Sequence, residues 1–502
     1  MFETTKVNGE SKTGNVYSTP EQGVKNNNLS GSQNAVPTAA APSLQTAPGV
    51  EEFRYQPKPR FNFKKPSKII VMILTFVILL VPLAFVYLKL NPFATKNVQK
   101  KGEIVWWTLG LNESVLNKMV ENYRTDNPDA QIKLIIQSPA DYRERLENSL
   151  KGGKGPDVFT IHNSWVPMFV SHLDAIPPSI YSKEDFAKAF YPVIVNNVNT
   201  SSGLVGIPLE YDALTLYINE DIFSFSGKSV PTTWDEFSQV ATDLTTRDDK
   251  GLILQSGAAM GLTANVDYWP EIIALLMLQN KSNLYAPSSK TDYEAISAFG
   301  EFNSTLKTWN NTLPASTRAF ADGKLAMFFA PGRVAAEIKE INPNLKFKTV
   351  VVPQVRRDDP NEPEVAYSTY WIQSVWKNSA DKDLAWNFLK FLSSEENLTK
   401  MSDISKVLGV QPLIYPRISM RDKIINDRIF GSIVAQAPFA SSWYLADKTN
   451  DGESGINSTV NAAYKKTVDL VSGSKGNRYS TAFFKILDSD LKKALMPSNI
   501  TR

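Results

Sequence analysis

The pattern of apolar and polar positions divides this chain at one uninterrupted hydrophobic run, residues 69–88, which contains no charged residue. As a helix rising about 1.5 Å per residue, this run would be about 30 Å long, the thickness of a bilayer's hydrocarbon core. The apolar core of a secretory signal is shorter and lies nearer the N-terminus. A buried helix of a soluble protein would have a polar face, which this run lacks. We therefore predict an uncleaved transmembrane anchor at residues 69–90.

Basic residues on either side of the run predict its orientation. Six Lys or Arg residues lie within residues 54–68, opposed only by Glu51 and Glu52, whereas four lysines lie within residues 89–101. The positive-inside rule then places the N-terminus in the cytoplasm and the large C-terminal part outside the cell membrane.

The segments that flank the anchor have no sustained apolar periodicity. Residues 1–68 are rich in Ser, Asn, Thr, Pro and Ala, which predicts a disordered cytoplasmic tail, either passive or regulatory. Residues 91–101 are predicted to form a short tether, so the outer part of the chain would work close to the membrane.

Beyond residue 102 short apolar runs alternate with stretches in which apolar residues recur at helical spacing. This β-α-β-α-β order predicts an α/β fold with a parallel sheet covered by helices. Residues 384–392 predict a late amphipathic helix, and about 400 residues exceed what one core usually supports, so two lobes are expected. The predicted strands are residues 104–107, 132–136, 156–161, 326–330 and 347–352.

A helix start is predicted where Thr232 and Thr233 are followed, three residues later, by Asp235 and Glu236. These pairs form overlapping capping-box patterns, in which each end of the pair satisfies a backbone N–H of the other.

Composition excludes several kinds of chemistry. The net charge of +3 is too near balance to indicate nucleic-acid binding. The absence of cysteine excludes disulfides, thiolate nucleophiles and thiolate metal sites. Because His162 and His172 are the only imidazoles, neither a catalytic zinc site nor a serine–histidine relay is expected. We therefore expect no metal, no cofactor and no nucleic-acid partner.

Several short motifs occur in a fixed order along the outer part of the chain. Together they resemble those of the family 1 extracellular solute-binding proteins, which include maltose-binding proteins and are the ligand-capturing subunits of ATP-driven (ABC) importers. The resemblance covers residues 103–391 and continues more weakly to the end. The motifs are IVWWTL at 104–109, GKGPDVF at 153–159, GIPL at 206–209, LYIN at 216–219, PTTWDEF at 231–237, FADGKLAM at 320–327 and AWNFL at 385–389.

This resemblance implies a periplasmic-binding-protein-like clamp of two α/β lobes joined by hinge crossovers. Mapped onto this chain, one lobe would hold residues 102–211 and 324–376, and the other residues 212–323 and 377–502. Open α/β sheets bind ligands beyond the carboxyl ends of their strands, so the ligand is expected between the lobes. The implied protein is a monomer and not an enzyme, and its partners are separate permease and ATPase subunits.

The cleft of such a clamp is expected at segments that follow strand ends and at the crossovers. These segments are residues 109–113, 162–165, 210–212 and 367–371 in or near the first lobe, and 265–269, 309–310 and 442–444 in the second. A sugar site needs flat aromatic side chains and a hydrogen-bonding rim. The aromatic candidates are Trp107, Trp165, Tyr211, Trp269, Trp309, Tyr370, Trp371 and Trp443; the polar candidates are Glu113, Asn163, Asp212 and Arg333.

Most of these aromatic residues also have a purely structural interpretation. Trp106 and Trp107 alternate along a strand, so one faces the core, and we favour Trp107 for the cleft. Trp309 and Trp371 either line the cleft or fill space, and Trp443 either lines the cleft or lies at the end of a surface helix. Tyr211 and Asp212 line the cleft or form the hinge. Two further tryptophans lie on apolar helix stripes and are expected in the core: Trp234 and Trp386.

Three functions are consistent with the sequence. We favour capture of a small solute for import, with a sugar or oligosaccharide ahead of polyols, glycerol phosphates and polyamines. A cell-surface sensor would use the same clamp, although the tail carries no folded signalling domain. A glycoside hydrolase could use Glu210 and Asp212, which lie about 7 Å apart on an extended chain, within the range for paired catalytic carboxylates.

Overall fold

The computed structural model describes residues 102–356, 359, 361–443, 455–473 and 481–495. The predicted anchor, tail and tether lie outside these residues. Among the helices that are described, none combines the length and the apolarity that crossing a bilayer requires.

The described strands are mostly short, and the longer ones fall in two separate sheets. In chain order they are β1 (Glu103–Thr108), β2 (Gln131–Ile136), β3 (Val158–His162), β4 (Asn199–Thr200), β5 (Gly203–Leu204), β6 (Leu214–Asn219), β7 (Thr246–Arg247), β8 (Ile253–Ala258), β9 (Leu325–Pro331), β10 (Phe347–Val350), β11 (Ala366–Tyr367), β12 (Trp371–Val375) and β13 (Ala440–Ser441).

Helices cover both sheets. They are α1 (Glu113–Asp126), α2 (Tyr142–Lys151), α3 (Val166–Phe169), α4 (Lys183–Ala189), α5 (Pro192–Val198), α6 (Glu220–Ser226), α7 (Trp234–Asp243), α8 (Trp269–Gln279), α9 (Lys290–Ser304), α10 (Ser316–Ala321), α11 (Val334–Ile341), α12 (Lys382–Leu392), α13 (Glu395–Val407), α14 (Gly431–Gln436), α15 (Ile456–Gly473) and α16 (Thr481–Leu495). Short 3₁₀ helices occur at Asn163–Trp165, Val170–His172, Ile418–Lys423 and Ala437–Phe439.

Local sequence signals explain where several helices begin. The Asn112 side chain accepts hydrogen bonds from the backbone N–H groups of Ser114 and Val115 and so caps α1. Thr233 and Glu236 form the predicted capping box at the start of α7. The predicted helix at residues 384–392 is confirmed as α12, which buries Trp386 completely.

The first lobe is built on a four-stranded sheet in the order β12-β3-β1-β2. Strand β1 is parallel to β2 and β3, whereas β12 pairs antiparallel with β3. All five residues of β3 are buried, as expected for a strand covered on both faces. The hydrophobic core of this lobe runs from Ile104 to Ala213 and from Tyr370 to Ala437.

The second lobe is built on a five-stranded sheet in the order β10-β6-β9-β8-β7. Strand β6 lies antiparallel between β10 and β9, and β8 is parallel to β9. Its core runs from Leu214 to Tyr367 and takes in Trp443 and the apolar faces of α15 and α16. An α/β fold of two lobes is therefore present.

The lobe boundaries differ from those predicted for residues 324–376 and 377–502. Strand β9 hydrogen-bonds to β6 and β8, so residues 325–331 belong to the second lobe. Helix α12 packs its buried face into the core of the first lobe, and so do residues as far as Ala437. The chain therefore returns to the first lobe near residue 370 and leaves it again near residue 437.

Individual strand predictions agree closely with the structure. The runs at 104–107 and 132–136 lie within β1 and β2, and the run at 326–330 lies within β9. The predicted strands at 156–161 and 347–352 correspond to β3, which begins at Val158, and β10, which ends at Val350.

Candidate functional site

Three crossover segments connect the lobes and lie side by side. Strands β11 and β13 pair in parallel, which joins the second and third crossovers. Ala213, on the first crossover, forms a bridge to Ser368 on the second. The backbone N–H of Thr369 also donates to the carbonyl oxygen of Asp212 at 3.1 Å. These bonds tie the three crossovers into one hinge.

A cavity of about 380 Å³ lies against this hinge and is lined by residues of both lobes. The second lobe contributes Arg333 and Ala336, just beyond the carboxyl end of β9. The first lobe contributes the segment beyond the carboxyl end of β1 with the start of α1, the crossovers, and the end of α13 with the stretch that follows it. These lining residues are Gly110, Leu111, Asn112, Val115, Glu210, Tyr211, Asp212, Thr369, Tyr370, Trp371, Ser405, Val410, Gln411, Pro412, Leu413 and Ile414.

Asp212 connects the hinge to the second lobe through its carboxylate. One oxygen accepts the N–H groups of Ala213 at 2.8 Å and Gly332 at 2.7 Å. The other accepts the N–H of Arg333 at 3.1 Å and lies 3.7 Å from the Arg333 guanidinium. Burial raises the pKa of Asp212, while Arg333 and the three N–H donors act to lower it.

Glu210 lines the same wall two residues earlier. Within the described part of the chain, no hydrogen bond or salt bridge is formed by its carboxylate. Burial, followed by the nearby charge of Asp212, raises the pKa of Glu210 to about 7, against the opposing effect of Arg333. The cavity therefore contains a carboxylate that titrates near neutral pH.

The aromatic wall of the cavity comes from Trp371 and Tyr370. Trp371, the first residue of β12, is half-buried and packs edge-to-face on His162 and Trp165, with ring centroids 5.1 and 5.4 Å apart. Tyr370 is buried and donates its hydroxyl to Asn197 at 2.7 Å. Trp371 thus offers its remaining exposed surface to the cavity while the structure behind it fixes its ring.

The structure brings together only part of the predicted site. Five of the twelve predicted residues line the cavity: Tyr211, Asp212, Arg333, Tyr370 and Trp371. Glu113 is exposed at the start of α1, next to the lining residue Asn112, and is not itself in the wall.

Four predicted residues are structural in this arrangement. Trp165 and Trp443 are buried, in the first and second cores respectively. Trp309 is fully buried and donates its indole N–H to Asn265 at 2.8 Å. The Asn163 side-chain amide donates to Asn197 and Ser442 and accepts the backbone N–H of Tyr370, so it is bonded within the protein.

Trp107 and Trp269 occupy intermediate positions. Trp106 is the core member of its pair, as expected, and Trp107 is half-buried against the first core without lining the cavity. Trp269 lines a different cavity, of about 530 Å³, formed by the loop before α8 and one face of α15. Of the segment 442–444, Tyr444 lies outside the described residues.

The stretch at 410–414 was missed by sequence reasoning. It follows α13, which the predicted boundaries assigned to the second lobe. No sequence feature therefore indicated that this stretch lies against the hinge. In the structure the carbonyl oxygen of Ile414 accepts the backbone N–H of Tyr211 at 2.8 Å, which holds this stretch against the first crossover.

The arrangement suits binding rather than bond cleavage. Asp212 is committed to backbone donors, so it is not available beside Glu210 as a second catalytic carboxylate. Within the described residues, no group of three or more acidic or imidazole side chains is placed to hold a metal ion.

Comparison with known proteins identifies the family. The family model of the bacterial extracellular solute-binding proteins matches residues 110–399, more than half of the chain. A binding protein of Brucella abortus is 23% identical over 306 residues, which is 57% of this chain and 70% of that protein.

Solved structures with the same fold cover most of the chain. The cyclic α-maltosyl-1,6-maltose binding protein of Arthrobacter globiformis has a TM-score of 0.62 at 16% identity, covering 79% of this chain and all of that one. The sugar-binding protein MalE of Xanthomonas citri has a TM-score of 0.62 at 17% identity, covering 79% and 98%.

These matches agree with an α/β fold of two lobes. The chain therefore belongs to the family of bacterial extracellular solute-binding proteins, which are binding proteins rather than enzymes.

Proposed function

We propose that this chain is the membrane-anchored, solute-capturing component of an ABC importer, and that its solute is a sugar or oligosaccharide. The observation that carries the proposal is the cavity against the hinge, to which Arg333 contributes from one lobe and Trp371 from the other. A solute that contacts both lobes favours the closed arrangement, because only that arrangement provides both sets of contacts.

The chemistry of the wall supports a saccharide. Trp371 provides a flat apolar surface for the CH face of a sugar ring, and the surrounding polar groups can bond hydroxyls. These polar groups are Asn112, Glu210, Arg333, Thr369 and Gln411. Both solved structures named above are of sugar-binding proteins. The solute would then pass to separate permease and ATPase subunits.

Thermal unfolding of the purified full-length chain against a panel of sugars, polyols, phosphodiesters and polyamines tests the capture proposal. A ligand at one hundred times its dissociation constant is expected to add about 2.7 kcal/mol to the free energy of unfolding. Trp371→Ala is expected to weaken binding of that ligand about tenfold or more, because the stacking surface is lost.

Trp234→Ala is the matched control, because Trp234 is also half-buried but lies on α7, outside the cavity lining. It is expected to lower stability and to leave the ligand-induced shift intact. A flat response of the wild-type chain to every sugar would overturn the carbohydrate assignment. Chemical change of a bound sugar would instead indicate an enzyme.

The anchor is tested separately, by fractionation of cells that produce the full-length chain. We expect the chain in the membrane fraction, with its C-terminal part digested by protease added from outside. Replacing Ile78 and Leu79 by Arg is expected to release it, since each Arg at the centre of a span costs about 2.5–3.5 kcal/mol of insertion free energy. A wild-type chain recovered without membranes would refute the anchor.

A further inference from the structure

The charges around the cavity do not balance, and their arrangement restricts the solute. The lining contains two carboxylates, those of Glu210 and Asp212, and a single cationic side chain, that of Arg333. No lysine lies among the lining residues of this cavity. Its wall therefore carries a formal excess of negative charge when both carboxylates are ionised.

Arg333 does not supply a free positive charge for an anionic solute. Its guanidinium lies 3.7 Å from the carboxylate of Asp212, and its own backbone N–H is bonded to the same carboxylate. Glu210 acts on it from the same cavity. A phosphate or carboxylate on the solute would approach this guanidinium in the field of both carboxylates, which weakens the attraction.

Among the described residues, the two carboxylates of the cavity differ in their partners. Asp212 has three backbone donors and the guanidinium, whereas Glu210 forms no hydrogen bond or salt bridge within the described residues. Glu210 is half-buried, so its carboxylate is partly desolvated without a partner, and a cation beside it would offset that cost.

We propose that the solute carries a protonated amino group that pairs with Glu210, next to a sugar or polyol ring packed on Trp371. This inference rests on the proposed function, because it assigns a substrate class, amino sugars, to the same cavity. Glu210 then distinguishes an amino sugar from the neutral sugar of the same shape, and Trp371 contacts both.

The test compares matched pairs by calorimetry on the full-length chain: glucosamine with glucose, its β-1,4-linked dimer with cellobiose, and galactosamine with galactose. At least one amine is expected to bind about tenfold or more tightly than its neutral partner, the size of a charge-assisted hydrogen bond. Glu210→Gln is expected to abolish that preference, so that the amine binds no more tightly than its neutral partner.

Glu121→Gln is the control, because it removes the same charge from an exposed position on α1, and it should leave the preference unchanged. The Glu210→Gln chain should fold at least as stably as wild type at pH 8. The raised pKa of Glu210 means that the folded state loses stability as pH rises from about 4.5 to about 7, and the amide removes that loss.

Affinity for the amine should also depend on pH. Since Glu210 titrates at about 7 beside Asp212 and Arg333, its ionised fraction falls from half at pH 7 to about a tenth at pH 6, which weakens binding about fivefold. Equal affinity for amine and neutral sugar, or a preference that survives in Glu210→Gln, would overturn the inference. If neither member of any pair binds, the inference is also overturned. If only the neutral sugars bind, the amino-sugar inference fails but the proposed function is still supported.

Discussion

Replacing Asp212 by alanine is expected to lower the free energy of unfolding by about 2–5 kcal/mol, because its carboxylate accepts three backbone N–H groups and two of them belong to the second lobe. These two donors belong to Gly332 and Arg333, at the turn between β9 and α11. Asp212→Asn should cost less, because its one amide oxygen can still accept from Gly332. Urea denaturation of the full-length variants measures both values.

Asp248→Ala is the matched control for this prediction. The Asp248 carboxylate also accepts two backbone N–H groups, from Lys250 and Leu252, but in an exposed turn where water replaces it. We expect a loss below about 1 kcal/mol there. A loss at Asp212 no larger than the loss at Asp248 would show that the carboxylate is not what holds the hinge to the second lobe.

Gly332→Ala is expected to lower stability by about 1–3 kcal/mol, the usual range for overfilling a packed interior. A methyl group at Gly332 would overlap the Cδ1 atom of Ile433 and approach Ile414 Cδ1 to 3.1 Å. Both isoleucines are buried in the first lobe, whereas Gly332 directly follows the last residue of β9 in the second. The methyl group would therefore clash sterically with residues of the other lobe, and it should weaken solute binding as well as lower stability.

Two further variants distinguish a steric clash between the lobes from a general effect of removing glycine. Ile433→Val deletes the overlapping Cδ1 atom, so the double variant should recover part of both the stability and the affinity lost in Gly332→Ala. Gly473→Ala, where an added Cβ meets nothing within 4 Å, should be close to neutral. Additive losses in the double variant would argue that Ile433 does not transmit the clash.

Local patterns predicted the elements well, because strands and caps are encoded over a few neighbouring residues. The apolar run in β1 and the Thr233–Glu236 capping box needed no knowledge of distant contacts. The assignment of β9 to a lobe was different. Its seven residues are all buried, so the strand has no polar face, and only its pairing with β6 and β8 shows which sheet it joins.

The site was harder to predict than the fold for a related reason. Sequence alone does not show whether a tryptophan indole lines a cavity, as that of Trp371 does, or is buried and bonded to a neighbour, as that of Trp309 is. The deciding partner of Trp309, Asn265, lies 44 residues away. Glu210 was recognised as a carboxylate in the first crossover, yet its missing partners became apparent only in three dimensions.

The pairing of β12 with β3 affects how the chain reaches its folded state during synthesis. His162 can pair with its strand partner Trp371 only after the whole middle portion of the second lobe has been synthesised. At 5–20 residues per second, this interval of about 210 residues takes on the order of 10–40 s. For that time one edge of a strand that is fully buried in the folded protein stays unpaired, and open edges of this kind promote aggregation. A chaperone that shields nascent β3 would therefore matter more for this protein than one that acts on the finished chain.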